Sequence, residues 1–272
     1  MIAIFRKALH DSRRTIIWLS IGMSIYVLLV LSFYPTIAED TAALQEIVDS
    51  YPDAMITMFY GSDSAENLDL FSPGNFIQSQ FMVFFILLLG AVIIGQAFNN
   101  FTNAERDGSM DMLLSLPISR REMLLGRGLS TVVFLLVVLT ALFVTMVVGS
   151  AIWEEFEATI PELAAASYGM FFPVMVIAGL IYLLVAVVPS SRKFTGAVVY
   201  LFLVGSYLFY GFSGAVPELN DVRPFFIYDY YNAGQIIDGS GYQVGDALTL
   251  AVIAASLFGL AWWRIDHKEM GV

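Results

Sequence analysis

Six apolar runs, each close to the ~20 residues an α-helix needs to cross the hydrocarbon core, leave this chain little choice of fold. They fall at about 15–34, 76–98, 128–152, 164–188, 195–216 and 245–263. None carries Asp, Glu, Lys or Arg in its middle, where one costs ~2.5–3.5 kcal/mol on insertion. Asp246 sits at the very edge of the sixth run, and Pro173 predicts a local kink in the fourth. Only 14% of the 272 residues are charged, against roughly 25% in a soluble domain. The expectation is an all-α integral membrane protein with a single transmembrane domain over residues 1–272.

Six crossings place both termini on one side, and charge decides which. Residues 1–14, 99–127, 189–194 and 264–272 carry 4, 4, 2 and 2 Lys or Arg, or 12 of the 13, and Arg223 alone lies opposite. The same partition puts 17 of the 24 acids on the other side. The excess of Lys and Arg in short loops predicts that both termini and the 105–127 stretch face the cytoplasm; the membrane expected is the plasma membrane of a prokaryote. The net charge of −11 argues against a nucleic-acid partner. The strongly acidic exterior fits a cation-rich habitat and ordinary solubility equally.

Residues 1–14 place Met1, Ile4, Phe5, Ala8 and Leu9 on one helical face and Arg6, Lys7, His10, Asp11, Arg13 and Arg14 largely on the rest. That pattern suits a helix lying in the interface plane, with its cations toward anionic lipid headgroups. A signal-peptide reading fails on the length of the apolar run that follows and on the poor cleavage site at Thr36-Ile37-Ala38. Outside, residues 35–75 read as a helical loop. Leu44, Ile47, Val48 and Tyr51 share one face, and Met55, Met58 and Phe59 continue one after Pro52. Residues 217–244 carry Pro217, Pro224 and the Tyr228/Tyr230/Tyr231 cluster, suited to an aromatic belt.

Catalytic motifs are missing. The chain has no phosphate-binding Gly-x-x-x-x-Gly-Lys-Ser/Thr loop, no His-Glu-x-x-His and no cysteine. Glu154-Glu155 is similar to the paired glutamates of intramembrane prenyl-processing proteases, but position 159 is Thr where those need Arg, and no span holds a histidine. Glu154, Glu155, Glu157 and Glu162 read more simply as a solvated outer loop. No catalytic residue and no metal ligand is expected. Polar and aromatic span residues are the candidates for a substrate path: Gln78 and Gln96 toward the two ends of the second span, and Tyr200 and Tyr207 on the fifth. Gln78 and its neighbour Gln80 fit a merely interfacial position as well. Gly196, Gly205, Gly211 and Gly214 would permit close helix approach along the fifth span.

The stretch 105–127 is the most informative. Met110, Leu113 and Leu114 share one side of a short helix at about 105–117, with Asp111 and Ser115 opposite. Pro117 ends that helix. Ser119 with Glu122 three residues on forms a capping box for the next one. A small amphipathic helix between two membrane spans offers too few apolar residues to hold lipid well, and suits a protein partner better.

The run Ala104-Glu105-Arg106-Asp107-Gly108-Ser109-Met110-Asp111-Met112-Leu113-Leu114-Ser115-Leu116-Pro117-Ile118-Ser119-Arg120 is similar to the Glu-x-x-x-Gly-Thr-x-Glu-x-Leu-Leu-x-x-Pro-x-Ser-Arg motif of ABC type-2 exporter permeases of the compact six-span kind. Glu105 to Gly108 is one residue shorter than in that motif, and Ser109 and Asp111 stand where it has Thr and Glu. Tyr51-Pro52-Asp53-Ala54-Met55, Met58-Phe59-Tyr60-Gly61 and Ser72-Pro73-Gly74-Asn75-Phe76 also resemble the family. The resemblance implies an elbow helix at 1–14 and a coupling helix at 105–117, six spans and a paired, homodimeric permease. Each permease would grip an ABC ATP-binding subunit, two copies in all, which would bind the ATP and Mg that this chain does not. Glu105, Arg106, Asp107, Gly108, Met110, Leu113, Leu114 and Arg120 would touch that subunit. Two other readings stand beside it: an ion-gradient-driven secondary transporter, which normally needs ionisable groups at mid-membrane, and a non-transporting membrane assembly or anchor subunit.

Overall fold

The computed structural model describes residues 1–39, 50–62, 69, 71–98, 119–188, 192–239 and 241–265. All its regular elements are helical. They are α1 (Ile2–Leu31), α2 (Tyr34–Glu39), α3 (Asp53–Tyr60), α4 (Pro73–Ile77), a π-helical turn (Gln78–Met82), α5 (Val83–Phe98), α6 (Arg120–Ile152), α7 (Ile160–Gly169), α8 (Phe171–Val187), α9 (Arg192–Ser213), two 3₁₀ stretches (Pro217–Phe225 and Ile227–Tyr230), α10 (Ala233–Ile237) and α11 (Val244–Arg264). Among the described residues, six helical segments are long and apolar enough to span: Ile2–Ala38, Pro73–Ala97, Arg120–Ile152, Ile160–Val187, Gly196–Ser213 and Val244–Arg264. The protein is an all-α membrane protein, as its hydropathy pattern requires.

Three boundaries differ from the sequence reading. Residues 1–14 and the first span form one uninterrupted helix. Charged side chains end an apolar run, but nothing in Arg6 to Arg14 breaks a helix. The fourth span starts at Ile160, four residues early, because Glu162 belongs to the first turn of α7 and not to a loop. Its carboxylate accepts the Thr159 amide at 2.8 Å. The kink expected from Pro173 is an interruption at Met170, between α7 and α8, where the backbone keeps helical angles. Pro173 has no N–H to give the carbonyl of Gly169, four residues back.

Two parallel pairs frame the bundle. In the first, Ile4 meets Gly126, the Ser24 and Thr145 hydroxyls lie 2.7 Å apart, and Leu31 meets Gly149. The partners stay about 120 residues apart in sequence all the way along, so α1 and α6 run side by side in the same direction. In the second pair Gly179 of α8 faces Ala254 and Leu257 of α11, and the Tyr182 and Phe258 rings lie 5.2 Å apart. Hydrocarbon gives helices little hydrophobic reason to associate, so close approach over glycine supplies dispersion contact instead. Helix α8 is buried all round from Pro173 to Gly179 and forms the centre. Trp18, Leu201, Leu248 and Val252 are 60–73% exposed, as side chains facing lipid must be.

The pairs fix the two ends. Met1 and Trp262 come together with α6 at one end: the Met1 amine is 3.8 Å from Glu122, and the Arg121 guanidinium lies 4.3 Å over the Trp262 ring. At the other end the Tyr34 ring packs against Phe76 and Phe156 at 5.0 and 5.3 Å. Here α3 docks on the last turns of α9, where Gly211 and, just past the helix end, Gly214 leave room for Met58 and Thr57. Gly61 ends α3 at φ +70, the left-handed closing residue that glycine supplies without strain.

Candidate functional site

At the basic end, Ser119 caps α6 as its sequence predicts. Its hydroxyl accepts the Glu122 amide at 3.2 Å, and the Glu122 carboxylate accepts the Ser119 amide at 3.1 Å. Arg120, the first residue of α6, is half-buried. Glu105, Arg106, Asp107, Gly108, Met110, Leu113 and Leu114, with the rest of the expected coupling helix at 105–117, lie outside the described residues. The chain on either side of them, Phe98 and Ser119, leaves the bundle at the end where α1, α6 and α11 converge.

The four candidate path residues do not gather into one site. Gln78 is 4% exposed, and its Oε1 accepts the Ala233 amide at 2.8 Å, which turns it toward the outer segment. Gln96 lies eighteen residues further along the same span, or about 27 Å at 1.5 Å per residue. There Ser12 Oγ donates to its Oε1 at 3.5 Å, and its Nε2 is buried without a hydrogen bond. The Tyr200 hydroxyl donates to the Ala91 carbonyl at 3.1 Å, tying α9 to α5. Tyr207 is buried toward the outer end, its ring 5.3 Å from that of Tyr228. Three of the four lie on one helix pair, Gln96 on α5 and Tyr200 and Tyr207 on α9, while Gln78 sits in the π-helical turn before α5. The outward side of that pair presents Phe84, Leu88, Tyr200, Leu201, Val204 and Leu208.

The acidic end holds an arrangement that the sequence did not disclose. An open cleft of about 1110 Å³ lies between the start of α4, the start of α7 and the segment around α10. Asp69, Glu157, Glu162 and Asp238 line it. Asp238 reaches across from the far end of α10. Its Oδ1 accepts the Gly74 amide at 2.9 Å, and its Oδ2 accepts the Asn75 amide at 3.1 Å and the Ser72 hydroxyl at 2.5 Å. A carboxylate at a helix N-terminus satisfies free amides and meets the positive end of the helix dipole. Asn232 starts α10: its side chain accepts the Gln235 amide at 3.1 Å and donates to the Tyr60 carbonyl at 2.8 Å. The fit is close, since a Cβ on Gly74 would stand 2.6 Å from the Gly234 carbonyl oxygen. In the sequence this region is only an Asp-Gly-Ser-Gly turn; partners some 165 residues away leave no local signal.

Two of the three tyrosines expected in an aromatic belt are packed inside the protein, and Tyr230 is half-buried. Tyr228 and Tyr231 are 2% and 3% exposed, packed under the segment and not at the lipid interface. The Tyr231 hydroxyl donates to the Ala166 carbonyl at 2.7 Å, and the Tyr210 ring lies 5.1 Å beneath the Arg223 guanidinium. Burial pushes the Tyr228, Tyr231 and Tyr242 phenols well up from their ordinary value, because the phenolate would be stranded away from water. Arg223 pairs with Asp229 at 3.1 Å.

A comparison with curated protein sequences returned no match. A comparison with family models matched residues 6–264 to the family described as "Multidrug efflux system permease Rv1217c, C-terminal domain". The match runs from the first turns of α1 to the end of α11 and takes in all six spans and the segment between the second and third. The chain therefore belongs to this family of multidrug efflux system permeases.

Proposed function

We propose that the chain is the permease subunit of an ATP-driven efflux pump of the ABC type. Two copies pair, each engages a separate ATP-binding subunit that holds the nucleotide and Mg, and the cargo path runs between the copies. The single observation that carries this reading is the family match across all six spans. The charge partition supports a cytoplasmic position for both termini and for residues 105–117, in the plasma membrane. Along the first four turns of α1, Ile4, Ala8 and Ser12 are buried while Arg6, Lys7, His10, Arg13 and Arg14 are exposed. Because these turns continue straight into the first span, that basic face supports contact of the start of α1 with anionic headgroups and not a separate helix lying in the interface plane.

Residues 105–117 then act as the handle for the ATPase. Met110, Leu113 and Leu114 supply a compact apolar contact, while Glu105, Arg106, Asp107 and Arg120 set its orientation by charge. Nucleotide-driven motion passes through α6, which starts directly after the handle, and reorganises α5 and α9 around the path. Leu113→Arg tests this. The variant inserts as the wild type does, but the ATP-binding subunit no longer co-purifies with it and coupled ATP turnover falls at least tenfold. Undiminished co-purification and turnover would refute the handle.

A further inference from the structure

We propose that α10 and Asp238 form a releasable strap that pins the outer end of the second span, and that the strap lifts in each transport cycle. The inference rests on the transport reading above. The strap grips from both of its ends. Gln78 accepts the Ala233 amide at its start, and Asp238 accepts from Ser72, Gly74 and Asn75 at its finish. Between them Ala233, Ile236 and Ile237 are buried. The hydrogen bonds of Ala233 and Asp238 are to Ser72, the start of α4 and Gln78 of the π-helical turn, at one end of the second span.

Three features make this a latch and not a fixed brace. Asp238 is exposed, so water can take the place of its protein partners once it lets go. The chain after it holds Gly239 at φ +138 and Gly241 at φ +64, with no neighbouring atom within 4 Å of where a side chain would start. Gly239 and Gly241 can change backbone conformation without a side-chain clash. Directly beneath the grip lies the π-helical turn Gln78–Met82, the kind of irregularity at which a helix bends. The strap also forms one wall of the outer cleft, opposite Glu157 and Glu162. Seated, it ties the second span to the segment that leads into α11. Movement of the second span's end away from that segment requires it to let go.

The absence of cysteine from the chain allows a direct test. S72C and D238C are combined, and the permease is reconstituted in vesicles with its ATP-binding subunit. The two thiols are joined by a short bis-methanethiosulfonate linker, and ATP-driven movement of ethidium is followed. Linking should cut transport at least tenfold and reductant should restore it. A linked protein that moves ethidium as fast as the reduced one overturns the strap. A second variant, A233C, keeps Asp238 in place and sets a thiol where the wild-type side chain is fully buried. An impermeant thiol reagent applied from the outer side should modify it severalfold faster during ATP turnover than at rest; equal rates overturn the proposal. Wild-type vesicles that move no ethidium would overturn the transport reading, and the strap's role with it, whereas wild-type transport with an indifferent linker overturns the strap alone.

Discussion

Replacing Gly179 by Ala should loosen the α8/α11 pair, and the same change at Gly205 should not harm the fold. At Gly179 a Cβ would lie 2.9 Å from Leu257 Cβ and 3.2 Å from the Ala254 carbonyl oxygen. Neither atom is the free end of a flexible side chain, so the two helices must part by about half an ångström, and overpacking of this kind costs roughly 1–3 kcal/mol. Against this stands the entropic gain of Gly→Ala within a helix, about 0.5–1 kcal/mol. The net expectation is a loss of up to about 2.5 kcal/mol, centred near 1. At Gly205 nothing stands within 4 Å, so only the gain remains. The two variants are heated in the same detergent at the same rate and followed by tryptophan fluorescence. For a chain of this size ~1 kcal/mol corresponds to roughly 2–4 °C, so Gly179→Ala melts a few degrees below the wild type and Gly205→Ala at or above it. A Gly179→Ala protein as stable as its Gly205→Ala counterpart would refute close packing between α8 and α11.

The topology can be read with single thiols, since none occurs naturally. In intact cells an impermeant reagent should label S64C and not S109C, and the reverse result would invert the assigned orientation. Ser119→Ala removes half of the capping box on α6 and should cost about 0.5–2 kcal/mol, read as a lower midpoint in the same melting assay; an unchanged midpoint would show the cap to be idle. The buried outer tyrosines predict an alkaline limit. Tyr231 is held neutral in the fold, whereas in the unfolded chain it ionises near pH 10. The native state therefore keeps more protons, and its contribution is complete below about pH 10 and lost as the pH rises further. The melting midpoint should fall above that pH, and less steeply in Tyr231→Phe; identical profiles would contradict the burial.

The sequence carried those features whose physics is local. An apolar run of span length needs no partner to be recognised, and the Ser119–Glu122 box closes within one turn. What remained hidden depends on meetings between distant residues. Glu157 and Glu162 read alike as loop acids, yet Glu162 caps a helix because Thr159 precedes it by three. Tyr228 and Tyr231 have the composition of belt residues, and only the packing of the segment above α9 buries them. Gln78 is polar within a span and so drew attention as a path residue, while its amide is engaged by Ala233, 155 residues away. Charged side chains at residues 6–14 end hydropathy without ending the helix. Asp238, the most connected acid among the described outer residues, had no signal beyond a turn.

The pairing of α1 with α6 bears on how the protein is made. Its contacts join positions such as Ile4 and Gly126, and Ser24 and Thr145. A ribosome adding about 5–20 residues each second delivers the mate of the first span roughly 6–24 s after the span itself. Through that interval the small and hydroxylated side chains of α1 lack the surface that is to receive them. The nascent first span must be sheltered by the insertion machinery, or held at the interface by its own basic turns, until the third arrives.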